Sequence, residues 1–224
     1  MSATIMFDLD GTLVDSLPDL AAATNRMLED TGTAPLSQDQ IKQFVGNGLL
    51  NLVERVIRHC DLSMDRHAEL AKATLAHYNA ASTAQTVVYN GVPEALQQLR
   101  DMGCVMGVCT NKNEAPARHV LEALGLAAYF DTVIGGDSLH TRKPDPAHLE
   151  ASFAAVTSAG PQIFVGDSEV DAETAQRAGV PFLLFSDGYR KSPVTEIPHT
   201  HSYDQSSELP ALVRSLIRVS GQNA

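Results

Sequence analysis

The chain has 224 residues, 44% of them apolar and 19% charged, a composition that fits one globular domain or one domain with an insert and excludes an intrinsically disordered chain. A chain of this length builds a core without help from disulfides or a structural metal. Lys plus Arg number 16 and Asp plus Glu 27, a formal net charge of −11, which argues against nucleic acid or an anionic membrane as the main partner but admits a small anionic substrate at a locally positive site.

The chain opens with Thr4-Ile5-Met6-Phe7-Asp8-Leu9-Asp10, an apolar run ending in two carboxylates and followed by Gly11-Thr12. It reads as a buried strand that stops at a loop. Asp8 arrives before any apolar signal region can form, so no secretory signal is expected. From Ser16 to about Ser82 no strand pattern is present. Helices are expected over residues 18–30, 37–45, 49–59 and 63–80, with breaks at Gly32, at Gly46-Asn47-Gly48 and around Asp61. Leu49, Leu52, Val53, Val56 and Ile57 show the spacing of three and four that marks an amphipathic helix.

After Val87 the pattern alternates. Strands are expected over 105–110, 132–135, 163–167 and 182–186, and helices over 113–124, 146–156 and 170–178. Residues 186–207 read as loop and 209–219 as a final helix. Such alternation implies an α/β fold, a parallel Rossmann-like sheet with helices on both faces. The first strand belongs to that sheet. The expected division is therefore a core of residues 1–15 and 85–224 and an inserted all-helical cap of residues 16–84. The longest apolar runs, such as Phe182–Phe185, are far short of the roughly 20 residues a membrane helix needs. Cys60, Cys104 and Cys109 form no CxxC pair, which suits free thiols and a cytoplasmic location.

Ligands bind open parallel sheets at the carboxyl ends of the strands, and polar residues collect there. Asp8 and Asp10 end the first strand, Thr110 and Asn111 the second, and Asp167 a later one with Asp171 four residues on; Lys143 lies just before a helix. Each alone is often a cap or turn residue, but unrelated caps do not explain so many such residues on one rim. Three clustered carboxylates raise one another's pKa unless a cation sits among them. Oxygen-only ligands suit a hard ion such as Mg²⁺ better than zinc. A Lys and a Thr hydroxyl suit phosphate, and a carboxylate nucleophile beside a carboxylate acid/base suits transfer through an aspartyl-phosphate.

Asp8-Leu9-Asp10-Gly11-Thr12, Thr110, Lys143-Pro144 and Gly166-Asp167-Ser168-Glu169-Val170-Asp171 resemble the four motifs of the haloacid dehalogenase superfamily, in order and across essentially the whole chain. Val45-Gly46-Asn47-Gly48, Cys109-Thr110-Asn111-Lys112 and Lys143-Pro144-Asp145-Pro146 further resemble bacterial phosphoglycolate phosphatases. The resemblance implies that Asp8 attacks phosphorus and that Asp10 protonates the leaving alkoxide and then deprotonates water. It implies that Thr110, Asn111 and Lys143 hold the phosphoryl group. It also implies that Asp8, the Asp10 carbonyl and Asp167 bind Mg²⁺, with Asp171 behind them orienting the metal's waters or Lys143. An acid at position 10 favours phosphate-ester chemistry over dehalogenation. The absence of His from residues 16–30 argues against mutase action. The expected activity is hydrolysis of a small phosphate monoester, 2-phosphoglycolate first, with a broader sugar-phosphate phosphatase as the alternative. Gly46, Asn47 and Gly48 are expected to form a loop that selects the substrate, approaching a two-carbon acid closely and rejecting larger esters by clash.

A phospho-accepting receiver module is a third reading. It needs about half this length, has no helical insert and carries its acceptor on a central strand, whereas Asp8 lies on the first. His59-Cys60 and Arg66 fit the spacing of a cysteine phosphatase, but the stretch joins two helices and Asp61 and Asp65 would repel a dianion. His199 and His201 read as solvated loop residues. Lys42 and Arg55 read as surface charges, one of which could meet a substrate carboxylate.

Overall fold

A computed structural model describes residues 2–81, 83–157 and 160–222. Ser82, near the expected end of the insert, and the last two residues of the expected core range lie outside these. β1 (Thr4–Phe7) is buried along its whole length. A two-residue strand, β2 (Val14–Asp15), follows it and pairs antiparallel with β3 (Val87–Val88), where the chain returns. Between them lie α1 (Leu17–Asp30), α2 (Gln38–Lys42), α3 (Leu49–His59) and α4 (His67–Ala81). The β2–β3 ribbon is therefore the neck of the helical insert. Two paired residues on each side are too few for a period-2 pattern, which is why no strand is expected there.

Beyond the neck come α5 (Val92–Asp101), β4 (Val105–Cys109), α6 (Glu114–Ala123) and β5 (Thr132–Ile134). Then follow α7 (Pro146–Ala154), β6 (Gln162–Gly166), α8 (Glu169–Ala178), β7 (Phe182–Phe185), β8 (His201–Tyr203) and α9 (Leu209–Gln222). Two of these elements go beyond the sequence reading. α5 has the signal, with Gly91 at the N-cap, Pro93 in the first turn and buried Val92, Leu96 and Leu99 on one face. β8 lies inside the stretch read as loop, where its short polar sequence HSY carries no strand pattern.

The main sheet has six strands in the order β5-β4-β1-β6-β7-β8, every neighbouring pair parallel. Alternation along β1 fills both faces: Ile5 and Phe7 join a cluster with Val108, Leu183 and Val213, while Met6 joins Phe164, Leu149 and Leu184 opposite. β1 sits between β4 and β6, the point where strand order reverses and a crevice opens beyond the strand ends. Chain order is not spatial order: Asp8 follows a central strand, as a receiver's acceptor does. Length and the insert still separate the two folds.

The insert has its own core, with Met27, Ile41, Val53, Ile57 and Leu70 buried together. One core-domain residue, Tyr189, joins that cluster. Its phenol donates to Asp15 Oδ1 at 2.7 Å and accepts from the Ser16 and Leu17 amides at 2.8 and 2.9 Å. At the other side of the neck, buried Asp19 accepts from the Thr86 amide at 2.8 Å and the Thr86 hydroxyl at 2.6 Å.

Candidate active site

Asp8 follows the last residue of β1, and its amide donates to Val165 O of β6 at 2.8 Å, so two strands fix its backbone. Its Oδ1 accepts from the Leu9 amide at 2.8 Å and lies 3.0 Å from Lys143 Nζ. Lys143 arrives from the segment before α7, where Asp145 caps the helix and Pro146 opens it. Its ammonium is buried and reaches Asp171 Oδ1 at 2.7 Å as well. Asp171 belongs to the first turn of α8. Its Oδ2 accepts from Ser168 Oγ at 2.6 Å and from the Ser168 amide at 3.2 Å, closing the capping box of that helix. Both Asp171 oxygens are thus engaged, and its charged partner is Lys143.

Asp167 follows β6. Thr12 Oγ1 donates to its Oδ1 at 2.7 Å and the Tyr189 amide to its Oδ2 at 2.6 Å. A Cβ on Gly11 or Gly188 would collide with this carboxylate, so two glycines keep its surroundings open. One oxygen from each of Asp8, Asp167 and Asp171 lies within 4.8 Å of the others, the one such grouping among the described residues. Burial pushes the Asp8 carboxyl up to about 6 against the pull of Lys143, and Asp171 and Asp10 push it the same way as burial. Burial also drives Asp167 well above the usual carboxylate range, with Asp171 and Asp8 adding to it. Burial disfavours the Lys143 charge, but Asp171 and Asp8 outweigh it and hold the ammonium charged. One ammonium among three carboxylates leaves negative charge uncompensated. The donors are all oxygens, and Asp8 and Asp167 retain lone pairs, so the set fits a hard divalent cation.

Asp10 stands apart from that cluster. Its Oδ1 accepts from Ser16 Oγ at 2.5 Å, and Lys112 Nζ lies 3.0 and 3.2 Å from its two oxygens. Lys112 also sits 4.5 Å from the ring centre of Tyr78 on α4. Burial would lower the Lys112 pKa, but Asp10 and Tyr78 outweigh that and raise it. Thr110 closes β4 with its amide on Ile134 O at 3.0 Å, and its hydroxyl accepts from the Lys112 amide at 3.3 Å. Asn111 Nδ2 donates to Lys143 O at 3.0 Å and to Gly46 O of the insert at 3.3 Å, while its buried Oδ1 has no hydrogen-bond partner among the described residues.

The Gly46-Asn47-Gly48 loop is held from inside the insert. Arg55 donates to Phe44 O at 2.7 Å and to Asn47 Oδ1 at 2.5 Å. Gly46 and Gly48 have φ of +124° and +83°, which favour glycine, and a Cβ on Gly48 would stand 3.0 Å from Asn111 O. The loop borders a cavity of about 490 Å³ between insert and sheet edge. Asp8, Asp10, Thr110 and Asn111 line its core side; Leu20, Leu49, Leu52 and Leu75 make its insert side apolar. A smaller space of about 30 Å³ lies between Asn47, Asp8, Asp10 and Asp167.

The structure therefore brings Asp8, Asp10, Thr110, Asn111, Gly46 and Gly48 to one cavity, with Asn47 and Asp167 on the adjoining one and Lys143 and Asp171 behind Asp8. Neither Lys42 nor Arg55 lines either space; Arg55 is a clamp on the loop and not a solvated charge. Sequence reasoning assigned no site role to Lys112, Arg142 and Lys72, which do line the large cavity. The first two adjoin motif residues, and that adjacency is the signal that could have found them. Cys60 caps the end of α3. Cys109 is the cysteine beside the site, but burial pushes its thiol up to about 12, which removes it as a nucleophile. His199 and His201 join no potential metal cluster among the described residues.

The sequence model of the family described as haloacid dehalogenase-like hydrolase matches residues 5–185. A phosphoglycolate phosphatase from a strain of Cereibacter sphaeroides is 46% identical over 215 residues, which cover 95% of this chain and 98% of that protein. One from Rhodobacter capsulatus is 42% identical over 217 residues, 95% of this chain and 97% of its own. Among solved structures, that of a predicted phosphoglycolate phosphatase from Haemophilus somnus has a TM-score of 0.83 at 29% identity, covering 93% of this chain and 96% of that one. Among the described residues, no helix is long and apolar enough to cross a membrane.

Proposed function

Because this chain belongs to the haloacid dehalogenase-like hydrolase family, we propose that it is a Mg²⁺-dependent phosphatase of a small phosphate monoester, 2-phosphoglycolate first, acting through an aspartyl-phosphate on Asp8. The observation that carries this reading is the buried chain Asp8–Lys143–Asp171 at the cavity, with Asp167 beside it. Lys143 fixes the rotation of the Asp8 carboxylate, and Asp171 fixes Lys143. An Asp8 oxygen attacks phosphorus and the ester P–O bond breaks. Asp10 donates the proton that the leaving alkoxide needs, then takes one from the water that attacks the phosphoenzyme, and the Asp8–phosphorus bond breaks to release phosphate. For this, Asp10 must leave its ion pair with Lys112 and carry a proton. Thr110 and the Asn111 backbone hold phosphoryl oxygens. Asp8, Asp167 and the Asp10 carbonyl would hold the Mg²⁺, which when bound offsets charge on the transferring group.

Chelator is expected to abolish phosphate release and Mg²⁺ to restore it. Asp167→Ala should weaken Mg²⁺ binding measured by calorimetry, and undiminished turnover in metal-free buffer would rule out this site assignment. Residues 16–84 serve as the selecting unit. Gly48→Val puts a β-branched side chain at positive φ against Asn111 O, so it should displace the loop and raise KM for phosphoglycolate by about tenfold or more. An unchanged KM would make the loop a plain turn.

The cavity differs from the closely fitting pocket expected of the loop. At about 490 Å³, with an apolar insert wall, it has room for more than a two-carbon acid. That favours a second reading, a phosphatase of broader range. A phosphate-release screen over phosphoglycolate, hexose phosphates, aryl phosphates and nucleotides separates the two by their kcat/KM ratios.

A further inference from the structure

Arg142 is the residue before Lys143. Its main chain is fixed: the Asp145 amide donates to Arg142 O at 2.9 Å, and Asn111 Nδ2 holds the next carbonyl at 3.0 Å. Its guanidinium is half-buried and lines the large cavity together with Asp8, Asp10 and Thr110. Among the described residues, no hydrogen bond or ion pair engages that guanidinium. The other cations on this wall differ. Lys112 is committed to Asp10, and Lys72 is exposed on α4. Lys143 acts from behind Asp8 and does not line this cavity.

A guanidinium cannot shed its proton, and its five N–H donors form a planar fork that matches a carboxylate. Left half-buried and unpaired, it carries a desolvation cost that a bidentate anion removes. The phosphoryl end of the substrate is already provided for by Lys143 and Thr110. On the insert side Gly48 stands closest to the fork without covering it: a Cβ there would lie 3.4 Å from Nη1. Asp137, an acidic residue on the same wall, is exposed and accepts from the Glu114 amide at 2.7 Å.

We infer that Arg142 is the specificity-determining residue that binds the substrate's carboxylate, so that the site selects phosphorylated acids over neutral phosphate esters. This rests on the phosphatase reading above and names the group that makes the acid the preferred substrate. A neutral ester of equal length leaves the fork unpaired, which is the strong form of discrimination, whereas an extra methylene in the apolar part of the cavity is weakly discriminated.

The test compares 2-phosphoglycolate with 2-hydroxyethyl phosphate, in which CH₂OH replaces the carboxylate, in the Mg²⁺-loaded wild type, Arg142→Gln and Arg142→Lys. The readout is the ratio of kcat/KM for acid over neutral ester, so any partly unfolded fraction cancels. Arg142→Gln should lower that ratio by about 10- to 100-fold, with the loss mainly in KM for the acid, and Arg142→Lys should recover part of it. Competitive inhibition by glycolate should weaken in parallel. A ratio within about twofold of wild type in Arg142→Gln, whether both substrates suffer equally or neither does, overturns the assignment. A wild-type enzyme that prefers the neutral ester overturns the acid-substrate reading itself, a result separable from the first because it appears before any substitution.

Discussion

Asp8→Asn is expected to bind phosphoglycolate and to lose at least about 10⁴-fold in kcat, because the amide is no nucleophile and no other carboxylate stands in its place. Asp167 is turned toward Thr12 and the Tyr189 amide, and Asp171 is closed in by Lys143 and Ser168. Neither can substitute. Lys143 keeps Asp171 as a partner in the variant, so the site should hold together. Mass spectrometry of rapidly quenched wild type should show a phosphoryl adduct on the peptide containing Asp8, and Asp8→Asn should show none. Turnover near the wild-type rate in the variant would sink the covalent mechanism.

The second large effect is expected at Asp10. Asp10→Asn should cost about 10²- to 10⁴-fold with an alkyl phosphate, whose alkoxide must be protonated to leave. It should cost far less in the phosphorylation step with nitrophenyl phosphate, since nitrophenolate departs unprotonated. Equal losses for both leaving groups, read by pre-steady-state release, would contradict the acid role. The geometry adds a further condition. Asp10 is held by Lys112 at 3.0 and 3.2 Å and by Ser16 at 2.5 Å. The acid form requires that pairing to be exchanged when substrate enters.

The fold was legible where patterns run long. The apolar run before Asp8, the three-and-four spacing of Leu49 to Ile57 and the strand–helix alternation after Val105 all correspond to elements. Apart from α5, whose signal was present and passed over, what failed was short or polar. The neck strands are two residues each, and β8 is three residues with two of them exposed. Pairing to a neighbour, which no local pattern encodes, is what makes them strands. The placement of β1 failed for a related reason, because its neighbours are set by crossovers whose direction the chain order does not carry.

At the site, residues that end strands were readable, since a carboxylate after a buried run has nowhere to go but the rim. Residues that act through a partner were not. Lys112 matters because Asp10 and Tyr78 flank it, and Arg55 because it reaches back to Asn47; in each pair the partners are joined by the fold or by a turn between helices. Arg142 differs again, since what marks it is the lack of a partner, a property only a structure displays.

Tyr189 gives the molecule a fulcrum. Its backbone amide steadies Asp167, its phenol grips the chain at Asp15, Ser16 and Leu17, and its ring lies in the core of the insert. In a rigid rotation, points near the axis travel least. A swing of the helical body about this residue would therefore spare the carboxylate beside it and the nearby Gly46-Asn47 loop, and would spend its travel on the parts of the insert farthest from Tyr189. The reacting end of the crevice would stay in register while the far helices part from it, as the jaws of pliers part widely around a pin that barely moves.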